Sequence, residues 1–217
     1  MLSTRESREK GMSDENRANL ERQDWIRAAY TVFIQEGVER VRVLTLAEKL
    51  GITRGSFYWH FKNRDELLQA LIEVWQQKNT GELLAACASS NDFTDRMLAI
   101  ADCWTNENLF DPALDTAMRN WGSNNPSIGQ LVHEEDRKRL HAFQEMFEEH
   151  GCETAEAMIR ARVFYFTQVG YYALELGELL TQRLRFYREY FWVFTGEKID
   201  EARFQQYLEK TLPKNSE

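Results

Sequence analysis

Apolar residues recur at intervals of three and four along most of this chain, a spacing that predicts helices. Trp25, Ala28, Ala29, Val32 and Phe33 form the first amphipathic face, ended by Gly37. Leu46, Ala47 and Leu50 mark a second helix starting near Val43, with Ala47 small where two helices would cross. Gly51 suits the left-handed residue that closes it. Ile52 then fills a hinge, Thr53 suits the N-cap of the next helix, and Phe57 and Phe61, four apart, face a core. Asn63 is placed to cap a fourth helix over 64–80, with Glu66 completing a capping box. That helix buries Leu67, Leu68, Leu71, Ile72 and Trp75.

The remainder reads as helices over 81–88, 93–106, 112–122, 127–150, 153–176, 178–194 and 201–212, with Pro112 in a first turn and glycines 151, 177 and 196 as stops. Two of them are unusually aromatic. The 153–176 helix carries Met158, Ala161, Tyr165, Val169, Tyr172 and Leu176 on one stripe and Phe164, Phe166 and Tyr171 on others, so it needs cover on both sides. The 178–194 helix carries Leu180, Leu184, Tyr187, Phe191 and Phe194, with Phe186 and Trp192 beside them. With three prolines and sparse turn clusters, strands have little support, and no period of 20–50 residues repeats. Residues 1–18 carry many charges and almost no apolar anchor, and read as a disordered tail. The fold class expected is all-α.

Chemistry concentrates in Leu46 to Leu68, LAEKLGITRGSFYWHFKNRDELL. Once Phe57 and Phe61 face inward, Arg54, Ser56, Tyr58, Trp59 and His60 are left for other faces, some of them outward. Two short helices around a tight turn, the second presenting basic and aromatic polar groups, have the form of a helix-turn-helix DNA reader. This stretch resembles the TetR family of bacterial transcriptional regulators, whose pattern runs roughly IA...GVS.G.FY.HF..K..LL. With the preceding helix the resemblance covers residues 22 to 75.

The resemblance implies roles where residues match. Tyr58 and His60 fall where the family holds backbone phosphates, and Arg64 stands at a position usually held by Lys in that role. Arg54, Ser56 and Trp59 fall on positions that face base edges or the thymine methyl; Arg is a bidentate donor to guanine. Gly55 permits close approach to the DNA backbone, and Thr53 and Lys62 complete the expected contact set. The sequence departs from the pattern at the start of the second helix, where Arg42 stands at the cap that the family often gives to Ser or Thr and apolar Val43 and Leu44 follow; a phosphate contact from Arg42 would stand in for the lost polar ones.

The resemblance further implies a head over 19–68 and a helical effector-binding and dimerisation body over 69–217. Tyr165, Val169, Tyr172, Leu176, Leu180, Leu184, Tyr187 and Phe191 are the expected homodimer interface, a pairing that sets two half-sites on a palindromic operator of double-stranded DNA. A small-molecule cavity is expected among helices between Met97 and Tyr172, with Met97, Trp104, Phe110, Met118, Trp121, Phe143, Met146, Phe147 and Phe164 as candidate walls. Aromatic and Met stripes at helical spacing are, however, more often core than ligand wall. A repressor released by a small-molecule effector is the reading that follows. A regulator without a small ligand, or a helical small-molecule binding protein with a vestigial head, remains open, although the polarity kept in the reading helix argues against the latter.

Charge first argues against a polyanion partner, since 27 basic residues face 35 acidic ones, a net of −8. The distribution reverses this. Residues 1–75 hold 12 of each sign, and from Arg40 to Arg64 six basic residues meet only Glu48. Phosphate neutralisation depends on the local face. Cys87, Cys103 and Cys152 are odd in number and lack metal-ligand spacing, so reduced thiols in a cytoplasm are expected. No secretory signal is read, and the longest charge-free apolar stretch, 163–174, is too short to span a bilayer. His133 and His141, with Glu134 nearby, read as a solvated helical face, not a metal site. No nucleophile–base arrangement, phosphate loop or cofactor motif stands out, so neither an enzyme nor a cofactor is expected.

Overall fold

The computed structural model describes residues 21–212, whose regular structure is all helical, with no strand among them. The chain divides into two compact units, residues up to Trp75 and residues from Gln76 onward. The expected tail, 1–18, lies outside the described residues.

The first unit holds α1 (Arg22–Glu36), a 3-10 turn (Val38–Arg40), α2 (Val43–Leu50), α3 (Arg54–Phe57) and α4 (Arg64–Trp75). Its core is aromatic. Trp25, Phe57 and Phe61 are buried; Trp25 meets Phe57 edge-on at 5.1 Å and Phe57 stacks on Phe61 at 5.3 Å. Gly51 adopts φ 68° and ψ 30°, the left-handed cap expected of it, and the Ile52 amide bonds back to the Ala47 carbonyl at 3.0 Å. Asn63 Oδ1 accepts from the Glu66 amide at 2.9 Å, while Glu66 reaches back to the Lys62 amide and not to that of Asn63, a capping box displaced by one residue. Thr53 stands at the N-cap of α3 with extended backbone, but its side chain makes no capping bond.

The second unit opens on a π-helical turn (Gln76–Gly81) where a regular helix to residue 80 is predicted. The turn buries Asn79 and Thr80, whose polar atoms serve the interior: Asn79 Nδ2 donates to the Asp111 carbonyl at 2.8 Å, and Thr80 Oγ1 accepts from Arg139 Nε at 3.0 Å. Then follow α5 (Glu82–Cys87), α6 (Phe93–Thr105), α7 (Pro112–Asn124), α8 (Pro126–Glu149), α9 (Thr154–Ala173), α10 (Leu180–Arg185), α11 (Tyr187–Thr195) and α12 (Glu201–Thr211). Two predicted boundaries move. The 153–176 helix stops at Ala173, because Glu175 (φ 47°) and Gly177 (φ 64°) take left-handed backbone. The 178–194 helix divides at Phe186 with neither proline nor glycine at the break. There Tyr187 Oη donates to the Met97 carbonyl at 3.0 Å and its ring stacks on Phe204 at 5.4 Å, contacts from distant elements that no local pattern carries.

Helices α7 and α8 cross at Gly122 and Gly129. A Cβ on Gly129 would stand 2.9 Å from the Gly122 carbonyl oxygen, so only glycine fits this approach. Beside the crossing lies a buried ionic cluster. Arg139, fully buried, donates to Asp115 (3.0 Å), Thr80 (3.0 Å) and the Tyr165 hydroxyl (2.9 Å). Arg119 forks onto Asp136 at 2.7 and 2.9 Å and reaches Asp115 at 2.8 Å, while Tyr165 Oη donates to Asp136 at 2.6 Å. Burial works to raise the Asp136 carboxyl, and the Arg119 hydrogen bond and charge overcome it, leaving that group below its usual range.

Candidate nucleic-acid interface and effector cavity

In the head, the core that fixes α3 also decides what faces out. Phe57 is locked between Trp25 and Phe61, and the backbone continues past α3 in tight turns, with the Trp59 amide bonding Ser56 and the His60 amide bonding Phe57. The consequence is exposure of the next residues. Trp59 is 88% exposed and Tyr58 63%, while Thr53, Arg54 and Gly55 are exposed and Ser56 and His60 half-buried. An indole so fully in water has no stabilising role within this unit; its apolar face is available to a partner. Arg42 and Lys62 are also exposed, and Arg42 Nε donates to the Glu39 carbonyl at 2.8 Å.

Arg64 departs from expectation. Its Nε and Nη2 donate to the Val41 and Val38 carbonyls, both at 2.6 Å, and the side chain is partly buried. The guanidinium clamps the turn that leads into α2, a task for a forked donor that the family's usual Lys could not perform identically. Arg64 thereby has a positioning role beside the phosphate role the resemblance implies: it fixes the start of α2, where Arg42 sits. Two nearby cations are also engaged. Lys49 (2.9 Å) and Arg40 (3.3 Å) pair with Glu36 and hold its carboxyl below the usual value.

In the body, a cavity of about 110 Å³ lies among α6, α9, α10 and α11. Of the expected wall residues, Met97, Trp104 and Phe164 line it. Phe143, Met146 and Phe147 are buried in the core around Phe164, Phe110 stacks on Tyr172 at 5.6 Å, Met118 is buried on α7, and Trp121 is half-buried outside the cavity lining. The segment from Tyr171 to Phe194 supplies most of the rest of the wall, including Glu178, Arg183, Phe186 and Tyr190, none of which was among the expected wall residues.

The expected interface stripe also turns inward. Tyr165, Leu184 and Phe191 are buried, and Val169, Tyr172, Leu180 and Tyr187 pack against the unit's own core; Leu176 alone of the eight is exposed. A helix apolar nearly all round leaves its facing ambiguous in sequence, and the ionic cluster settles it by drawing the Tyr165 hydroxyl inside. Large apolar side chains face water on other stripes: Ile159, Val163 and Phe166 along α9, and Phe186, Tyr190 and Val193 at and along α11.

An α-helical chain with a helix-turn-helix head and a separate helical body is the class that fold and site define. Residues 26–71 match the profile of the bacterial regulatory proteins of the tetR family, and the N-terminal unit belongs to that family. The chain is 39% identical over 88 residues to the HTH-type transcriptional regulator TtgR of Pseudomonas putida, covering 41% of this chain and 39% of that protein. It is 41% identical over 54 residues to the tetracycline repressor protein class A from transposon 1721 of Escherichia coli, a quarter of each chain. These matches span well under half of either relative, and both are named for regulation, not for an enzymatic activity. In three dimensions the chain resembles the ketosteroid transcriptional regulator KstR2 of Mycobacterium tuberculosis, with a TM-score of 0.62, 14% identity, and 84% and 97% of the two chains covered, a likeness of fold alone. No helix among the described residues is long and apolar enough to cross a membrane.

Proposed function

We propose that this protein is a dimeric DNA-binding repressor of transcription that leaves a palindromic operator when a small molecule occupies the cavity of its body. The observation that carries the DNA reading is Trp59, almost wholly in water on a rigid aromatic base, with Tyr58 and Arg54 exposed beside it. Tyr58, His60, Arg42 and Lys62 hold phosphates; Arg54, Ser56 and Trp59 meet base edges, with Thr53 and Gly55 at the close approach. A relative named as a repressor is 41% identical to this chain over 54 residues.

Homodimerisation is supported by two exposed apolar stripes at spacings of four and three residues, Ile159–Val163–Phe166 and Phe186–Tyr190–Val193. A symmetric pairing of such faces places two reading helices on successive major grooves. Phe186 and Tyr190 belong to both the second stripe and the cavity wall, so a ligand there would act where the dimer is held. Titrating a palindromic operator fragment at several salt concentrations tests the reading, with a linear fall of log affinity against log salt expected. No binding of any operator selected from genomic fragments, or a flat salt response, would refute it. Phe166→Glu is expected to yield monomers by light scattering and to weaken operator binding at least tenfold.

A further inference from the structure

The cavity wall holds a buried hydrogen-bond donor with nothing to bond. Trp104 is 8% exposed, and its Nε1 has no partner, although the ring is tightly held against Phe164 at 4.6 Å and Phe143 at 5.9 Å. An indole nitrogen donates only, so the gap cannot be closed by a change of protonation or by reversing an amide. Gln168, also on the wall, sets its buried amide against the Tyr172 hydroxyl without closing a well-formed hydrogen bond from Nε2. Leaving a buried donor unpaired is unfavourable, so an acceptor that reached it would gain the bond at little cost.

The rest of the wall limits what can satisfy them. Half of its lining residues are aromatic, and Met97, Ala101 and Leu184 add to the apolar surface, so the body of the occupant must be apolar. Its volume, about 110 Å³, is of the order that takes one ring; an apolar cavity of roughly 150 Å³ accommodates benzene. Arg183 adds a cation at the wall: it lies over Tyr171 at 4.4 Å, and Nη1 donates to the Trp104 carbonyl at 3.2 Å, so it braces the residue whose indole is unpaired.

Resting on the effector reading of the body, we infer that the cavity takes a single-ring aromatic compound bearing an oxygen acceptor, a carbonyl or carboxylate, that receives the Trp104 indole N–H. Gln168 donates to the same oxygen or its neighbour, and Phe164 covers the ring.

Acetophenone and ethylbenzene have nearly the same shape and differ in that oxygen, so calorimetric titration of the full-length protein with each isolates the hydrogen bond. Tighter binding of acetophenone is expected, by about three- to tenfold. Trp104→Phe should remove most of that preference while leaving ethylbenzene affinity within about twofold. Gln168→Leu, which leaves the ring packing alone, should reduce the preference in part. Equal affinities in the wild type, binding of neither compound, or an unchanged preference in a folded Trp104→Phe protein would each overturn the inference. Benzoate measured alongside separates carboxylate from carbonyl, with Arg183→Gln weakening only the former if charge is read. The titration contains no DNA, so its failure leaves operator binding by the head untouched, and failure of operator binding leaves the titration readable.

Discussion

The buried ionic cluster makes the sharpest test of how the body holds together. Replacing Arg139 by Met keeps the length and apolar stem of the side chain but removes a guanidinium that is fully buried. Three partners lose a donor at once: Asp115, Thr80 and the Tyr165 hydroxyl. Breaking a buried ion pair from one side costs about 3–5 kcal/mol, because the remaining charge stays buried without its partner. Here Asp115 and Asp136 keep Arg119, at 2.8 and 2.7 Å, so the loss should fall at the lower end, about 3 kcal/mol. Tyr165→Phe removes a hydroxyl that accepts from both arginines and donates to Asp136, and should cost about 2 kcal/mol. The two sites share atoms, so the double variant should cost less than the sum by at least 0.5 kcal/mol, on the order expected for contacting residues. Urea unfolding followed by far-ultraviolet circular dichroism at one fixed protomer concentration gives these differences, provided the slope with denaturant is unchanged. If Arg139→Met loses less than about 1 kcal/mol, or the pair is strictly additive, the cluster is not a cooperative element and the argument from desolvation fails.

Other consequences follow from particular contacts. Arg64→Ala should destabilise the head by about 2 kcal/mol through two lost bonds to carbonyls, while the salt slope of operator binding stays within half a unit of wild type; a slope smaller by about one would show Arg64 to be a phosphate contact as well. Gly129→Ala should cost about 1–3 kcal/mol, since its Cβ meets a backbone carbonyl at 2.9 Å, and an unchanged urea midpoint would show that α7 and α8 can separate freely. Glu201 is held down to about 2 by Arg188 and Gln205, below its ordinary 4.5. A depressed carboxylate contributes stability that is present above its unfolded value and lost as pH falls through the folded one, so a carboxyl-carbon NMR titration should place its midpoint near 2 and move it up in Arg188→Gln; a midpoint above 4 in the wild type would show that the pair does not form.

Much of the head was legible because local rules decide it. Gly51 is forced into left-handed backbone by the turn, Phe57 and Phe61 are bound to the core by a spacing of four, and their neighbours are then left to solvent. The same rules located the helices of the body to within a few residues up to α9. They did not foresee Arg64, whose partners are carbonyls 23 and 26 positions earlier, nor the two-part helix after Gly177.

What the sequence alone determined is therefore the all-α class, the order of the helices and the set of side chains offered by the helix-turn-helix. Which face of an aromatic helix points inward was decided by tertiary structure. In α9 aromatic and aliphatic residues occur on several stripes, so hydrophobicity gives little direction, and the Tyr165 hydroxyl helps fix the rotation by bonding Arg139, Arg119 and Asp136, as does Tyr172 Oη by donating to the Trp104 carbonyl. That rotation turns the expected interface into core and leaves Ile159, Val163 and Phe166 outside. The cavity is decided in the same way, since its walls come from α6, α9, α10 and α11, elements up to about ninety residues apart that only packing brings together.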